Sequence, residues 1–416
     1  MDSIPADLLT INAADPDNLT RLLDLPGLQV QVLERADWSH RIVLLCSVTA
    51  AAACCPTCQL GSTTIHQYYR RTVRDLPWAG WPCYLEITAR RFWCSYCRRP
   101  FTEPLTVAAR YARTTYRFAA QVVAAVRAGT VAATARTEQH GYKAVEGLFY
   151  RAASATYPEA PPPTVVRRLG IDEIATRKGH GHFRLVLTDL DARRVLAVLA
   201  DRRQETLRAY LATWPPQQRA AVEEVATDFW AAYHSVAAEL LPQARVVGDR
   251  FHAQQHLTEA VTTTRRTVQA QLSPEDAAFV RTWRDVLVRN EEDLPTADWL
   301  ALATITASVP ELGRVHKLKE DFRTLFNTRR TRADAAERLA TWLTGAAQSG
   351  VTALGEFAAF VTRWQESILN YFVSRTTSGR VEGLNNKIKL ILRRAFGFRN
   401  DEHLRLRVLM ACDGRD

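Results

Sequence analysis

Residues 28–48 (LQVQVLERADWSHRIVLLCSV) carry apolar positions on both sides of a polar turn, a pattern that predicts a β-hairpin. Residues 83–93 (CYLEITARRFW) alternate strictly, with Leu85, Ile87 and Ala89 on one face and Glu86, Thr88 and Arg90 on the other, which predicts a strand. From Thr114 to Ser154 the spacing becomes helical and fits three helices, TTYRFAAQVVAAVRAG, TVAATARTEQ and KAVEGLFYRAAS. The proline-rich stretch at 158–164 cannot continue a helix and marks the main domain boundary. Beyond it, RLGIDEIA, FRLVLTDL and RVLAVLAD read as three successive strands. A helix near 203–213, a strand at 223–228, a helix in FWAAYHSVAAELL and a strand at 244–249 follow. This βββαβαβ order is that of a ribonuclease-H-like α/β core, and residues 252–374 are helical in pattern.

The expected organisation is therefore α/β and multidomain. It comprises an N-terminal β-hairpin region (1–50), a zinc ribbon (51–106) and a helix-turn-helix (107–157). The ribonuclease-H-like core has a first part (165–251), an all-helical insertion (252–374) and a C-terminal part (375–416).

Charge adds a partner to this picture. The net charge is +10 over 416 residues, and it is clustered: residues 66–117 hold ten arginines against three acids, and residues 375–407 hold nine Lys/Arg against three acids. Such clusters suit a polyanion, because lysine and arginine release condensed counterions on reaching phosphates. No apolar run approaches a membrane span and no signal-peptide pattern opens the chain, so a cytoplasmic, nucleoid-associated location without membrane contact is expected.

In such a compartment, paired cysteines point to metal before disulfide. Cys55-Pro-Thr-Cys58 and Cys94-Ser-Tyr-Cys97 are two C-x-x-C knuckles, the donor set of a tetrahedral structural zinc site. Cys46, Cys54, Cys83 and Cys412 lack a partner at ligand spacing and read as buried structural cysteines. Arg70, Arg71, Arg74, Arg90, Arg91, Arg98 and Arg99 surround the knuckles as candidate phosphate contacts. The third helix of 114–154 stands where a recognition helix would, turning Val145, Leu148 and Phe149 inward and Lys143, Glu146, Tyr150 and Arg151 toward DNA.

Two-metal phosphodiester chemistry requires hard oxygen ligands converging from distant segments. Asp172 lies in the first core strand and Asp228 ends a strand expected beside it. Glu382 lies on a late helix, away from the apolar stripe Leu384, Ile388 and Ile391. On a helical period Asn386, Lys389 and Arg393 share its side and would meet phosphates. Glu173, Asp189 and Asp191 rank lower: alternation turns Glu173 to the other sheet face, and the two aspartates sit at a turn.

CPTC, RDLPWAG, RRFWCSYCRRPFTE, GIDE, TDFWAAY, DRFH and VEGLNNKIKLILRRAFGFRN occur in an order spanning nearly the whole chain. In this the sequence resembles the insertion-sequence transposases of the ISL-three type. The resemblance implies a zinc ribbon and helix-turn-helix before a ribonuclease-H-like domain, a helical insertion ahead of the last glutamate, and a triad of Asp172, Asp228 and Glu382. Two magnesium or manganese ions would be bound there, beside a structural zinc. It places Asp249 and His252 on a [C/D]-x-x-H motif, and puts Ser378 where relatives often carry asparagine. The implied activity is cleavage at terminal inverted repeats and joining of the 3′ hydroxyl to target DNA, by a homodimer or larger assembly on double-stranded DNA. The alternatives are a domesticated, non-catalytic DNA-binding regulator and a nuclease with the same core but no strand transfer.

Overall fold

The computed structural model describes residues 10–12, 20–36, 40–158, 164–177, 182–376 and 379–414. The chain forms two compact units, Met1–Pro158 and Glu159–Asp416. Among the described residues no helix is long and apolar enough to cross a membrane.

The first unit is built on strands β1 (Thr10–Asn12), β2 (Leu28–Ala36), β3 (Arg41–Val48), β4 (Ala53–Cys54), β5 (Gly61–Ser62), β6 (Ile65–Trp78), β7 (Trp81–Cys94) and β8 (Arg99–Thr102). The main sheet runs β1-β2-β3-β7-β6, with β8 also on β7, and β4 pairs β5 separately. Strand β3 pairs in parallel with β7, so the early hairpin and the cysteine-bearing strand share one sheet. They also share one core: Val30, Leu44, Val73, Leu85, Ile87 and Ala89 pack together. The division expected at residue 50 therefore cuts through a single sheet and core. Strand β6 carries no apolar alternation that would announce it, because most of its side chains face solvent; Val73, Arg74 and Asp75 are buried. It turns into β7 through Ala79 and Gly80, both at positive φ (51° and 79°), as a two-residue hairpin connection favours.

Helices α1 (Tyr116–Ala128), α2 (Val131–Thr137) and α3 (Tyr142–Thr156) follow. Thr115 and Thr130 cap the first two, accepting from the amides of Phe118 and Ala133. Phe118, Val122 and Val126 of α1 and Val145, Phe149 and Ala153 of α3 are buried at four-residue spacing. Leu148, expected inside, is half-buried.

The second unit opens with β9 (Arg168–Ala175), β10 (Phe183–Asp189) and β11 (Arg194–Leu199), joined antiparallel. After helices α4 (Gln204–Ala212) and α5 (Pro216–Ala220), β12 (Glu224–Thr227) pairs in parallel with β9. Helix α6 (Ala231–Leu240) then leads to β13 (Arg245–Gly248), parallel to β12. The strand order is β11-β10-β9-β12-β13. Leu169, Ile171, Leu185, Leu207, Val225 and Tyr233 share a core between this sheet and its helices.

Seven helices come next: α7 (Arg250–Gln269), α8 (Pro274–Thr282), α9 (Thr296–Ser308), α10 (Pro310–Asn327), α11 (Arg332–Gln348), α12 (Thr352–Arg363) and α13 (Gln365–Ser374). They form a core of their own around Leu257, Phe322, Trp342 and Phe357, which also takes in Val247 of β13. Helix α14 (Gly379–Arg394) then packs on β9 and α15 (Asp401–Ala411) on β11, so the chain returns to the sheet after the helical excursion.

Candidate active site and metal centre

In the first unit, β7 ends at Cys94 and the turn after it carries Cys97, opposite the knuckle that follows β4. The sulfurs of Cys55, Cys58, Cys94 and Cys97 all lie within 4.8 Å of one another. Cys58 and Cys94 are 3.6 Å apart, and Cys55 and Cys97 are 3.9 Å apart. A tetrahedral zinc with bonds of ~2.3 Å sets its sulfurs ~3.8 Å apart, so the donor set fits that ion. The amides of Cys58 and Thr57 hold the Cys55 thiol down to about 6, favouring the thiolate that a metal needs. Cys46, Cys83 and Cys412 are buried as expected, whereas Cys54 is exposed.

The arginines around this centre divide into two groups. Arg70 and Arg91 are exposed. Arg90 is held by Glu103 at 2.7 Å and also donates to the Ala50 carbonyl, while Arg71 donates to the carbonyls of Ala109 and Ala112. Arg74 is fully buried, lies against the rings of Tyr84 and Phe118 and donates to the Glu138 carbonyl. Arg74 and Arg90, expected at the phosphate surface, therefore serve the fold: acids and carbonyls distant in sequence engage them. On α3, Lys143 pairs with Glu146 at 2.8 Å and Arg151 is exposed.

In the second unit, β12 pairs with β9 as far as Ala226 and Gly170. Asp172 lies two residues beyond that pair within β9, and Asp228 two residues beyond it, immediately after β12 ends at Thr227. Asp172 and Glu382 line one cavity of about 540 Å³, together with Glu173, Asp249, His252, Asn385 and Lys389. Asp228 is not among the lining residues, but Glu173 and Asp172 both act on its charge. Burial, then Glu173, push the Asp228 carboxyl up to about 6, with His252 opposing. Burial also raises Asp172, against the Glu173 amide, which donates to Asp172 Oδ1 at 2.7 Å. Among the described residues, the four cysteines alone form a group of three or more potential ligands closed to within 4.8 Å. At least one separation within Asp172, Asp228 and Glu382 is therefore wider than that.

Three features in or beside the cavity were missed or set aside in the sequence. Glu173 does stand on the other sheet face from Asp172, bonding Tyr233 of the core that Leu169 and Ile171 join, yet it still lines the cavity, which opens where β9 extends beyond its pairing with β12. Glu173 accepts from Tyr233 and from Arg202. Asn385, three residues after Glu382, donates to Asp172 Oδ2 at 2.6 Å, whereas Asn386 and Arg393 are exposed and not among the lining residues. His234 contacts the Asp228 carbonyl through Nε2 at 3.0 Å; burial lowers the pKa of this imidazole, and Ser367 lies 3.4 Å from its other nitrogen.

Asp249 caps α7 by accepting from the Phe251 amide and lies 3.8 Å from His252. Both line the cavity, so capping accounts for one carboxylate oxygen while the other faces His252. Gly248 permits the approach of Phe229, whose ring would lie 2.2 Å from an added Cβ. Asp189 accepts from the amides of Asp191 and Ala192 at the β10–β11 turn, and Asp191 pairs with Arg168, as turn residues do. Ser378 lies outside the described residues.

The ISL3 family model, described as Transposase, matches residues 169–408, and one described as zinc-finger of transposase IS204/IS1001/IS1096/IS1165 matches residues 51–97. The transposase for insertion sequence element IS1001 of Bordetella parapertussis is 30% identical over 397 residues, covering 94% of this chain and 97% of that relative. The transposase for insertion sequence element IS1557 of Mycobacterium tuberculosis is 26% identical over 361 residues, 80% of each chain. Both family models fall on the elements that carry the two sites, and the chain belongs to the ISL3 family of insertion-sequence transposases.

Proposed function

We propose that this chain binds the terminal inverted repeats of an insertion sequence, cleaves DNA at those ends and joins the freed 3′ hydroxyl to target DNA. The reading rests on one juxtaposition: Asp172 on β9 and Asp228 just past the end of the neighbouring β12, with Glu382 lining the same cavity as Asp172. The order of three antiparallel strands followed by two parallel ones supports a ribonuclease-H-like core. The three helices of the first unit support a helix-turn-helix whose last helix, with Lys143 and Arg151, enters the major groove.

The donor set is all carboxylate, which suits magnesium or manganese. Asp172, Asp228 and Glu382 would hold two ions. When bound, such ions stabilise the attacking and leaving oxygens of a phosphodiester displacement. The protein's own part is to concentrate negative charge in a half-buried pocket and to flank it with cations. Lys389 lines the cavity, and Asn386 and Arg393 extend the same helix toward the DNA backbone. Arg70 and Arg91 of the first unit are offered as further backbone contacts. Water attacks the phosphorus at the element's end, the 3′ oxygen leaves as a hydroxyl, and that hydroxyl then attacks a target phosphodiester. Two ends must be held together for this, so a homodimer or larger assembly on DNA is proposed.

Incubation of the protein with labelled element ends, target DNA and magnesium tests the reading. Joined products are expected, and are abolished by a chelator. Cleavage without joining would replace the transposase reading with that of a nuclease, and end binding without either product would support a regulator.

A further inference from the structure

Asn385 sits one turn after Glu382 on α14, is 6% exposed and lines the same cavity as Asp172 and Glu382. Its amide nitrogen donates to Asp172 Oδ2 at 2.6 Å. A carboxylate can only accept, so this contact fixes which end of the amide faces Asp172. Among the described residues the other end, Oδ1, is buried without a hydrogen-bond partner, and so is Asp228 Oδ1. An unmet buried acceptor costs ~1–3 kcal/mol. Two of them in and beside one acidic pocket are explained together if the missing partner is a cation. Hard divalent ions take neutral asparagine carbonyls as readily as carboxylates into their oxygen shells.

We propose that Asn385 is a metal ligand: its Oδ1 contributes a neutral oxygen to a magnesium or manganese ion bound at Asp172, while its amide nitrogen fixes the Asp172 carboxylate. This rests on the metal-dependent reading above and extends the ligand set beyond the three acids. A neutral fourth oxygen fills coordination without adding a further negative charge to a pocket already lined by Asp172, Glu173, Asp249 and Glu382.

Manganese binding to zinc-replete full-length protein, followed by the electron paramagnetic resonance signal of free Mn2+, separates the possibilities without any DNA. Asn385→Ala should weaken Mn2+ at least ~10-fold, as loss of a ligand or its immediate support does. Asn385→Asp keeps an oxygen for the ion but loses the N–H donor to Asp172, and should bind Mn2+ as tightly as the parent or more tightly. Circular dichroism melts establish that each variant is folded, and Asn385→Ser replaces the alanine variant if that one is not. Equal weakening in the alanine and aspartate variants would overturn the proposal, leaving Asn385 as a positioning residue that acts through its N–H. Unchanged affinity in both would also overturn it. Asp172→Ala is the reference: if it leaves Mn2+ affinity intact, the metal-dependent reading of the site fails first and takes this inference with it.

Discussion

The buried hydroxyl of Tyr233 donates a 2.7 Å hydrogen bond to Glu173 Oε1, tying helix α6 to a carboxylate that lines the acidic cavity. Burial and the Glu173 charge push the phenol up, so it remains a proton donor throughout the working range. Arg202 holds the other oxygen of Glu173 at 3.1 Å. Tyr233→Phe should cost about 1 kcal/mol of stability and slow end cleavage roughly 10-fold, with end binding unchanged. Thermal melts, cleavage rates and gel shifts check the three parts. A cleavage rate equal to that of the parent would remove Glu173 from the working parts of the site.

The zinc centre should be required for the fold of the first unit. One zinc per chain is expected by elemental analysis, and Cys55→Ser or Cys94→Ser should abolish its binding. Because binding a structural ion is coupled to folding, the same variants should lose sheet signal and end binding together. Retention of both in a zinc-free variant would contradict this.

His316 on α10 gives the second unit an acid limit. Burial, then the charge of Lys319, hold its pKa down to about 4, and its Nε2 lacks a hydrogen-bond partner in the interior. A histidine near 6.5 when unfolded and about 4 when folded is neutral in the native state. Its contribution is fully present above pH 6.5 and is lost as pH falls toward 4, on the order of 3 kcal/mol in all. Urea midpoints at pH 7.5 and 4.5 should fall less on acidification for His316→Leu than for the parent. Equal falls would contradict the assignment.

The two groups of arginines in the first unit should behave differently. Arg91→Ala, at an exposed position, should weaken end binding and make the slope of log K against log salt shallower by ~0.9, the share of one neutralised phosphate. Arg74→Ala removes a buried guanidinium that bonds the Glu138 carbonyl, and should lower the melting temperature instead. An unaltered salt slope for Arg91→Ala would exclude it from the interface.

Much of this was legible in the sequence because the relevant forces are local. Apolar runs such as RLGIDEIA and FRLVLTDL announce strands covered on both faces, and the four-residue spacing of Phe118, Val122 and Val126 announces a helix. Polar β6 was invisible because its pairing with β7, and not its own burial, makes it a strand. Arg90 looked like a phosphate contact because Glu103, which engages it, lies across a strand pair and not beside it in sequence. Around the acids, counting four residues from Glu382 led to Asn386, whereas the residue that meets Asp172 is three away. Glu173 was set aside because alternation turns it from Asp172, as it does, but at the end of β9, past its pairing with β12, residues of both faces reach the same cavity.

The central claim is that Asp172, Asp228 and Glu382 act as one set. Asp172→Asn, Asp228→Asn and Glu382→Gln change charge with little change in shape, so each folded variant can be assayed for end binding, cleavage and joining in magnesium. The account predicts that all three bind labelled ends as the parent does and that each loses both cleavage and joining. A variant that binds, cuts and joins at the parental rate would contradict it.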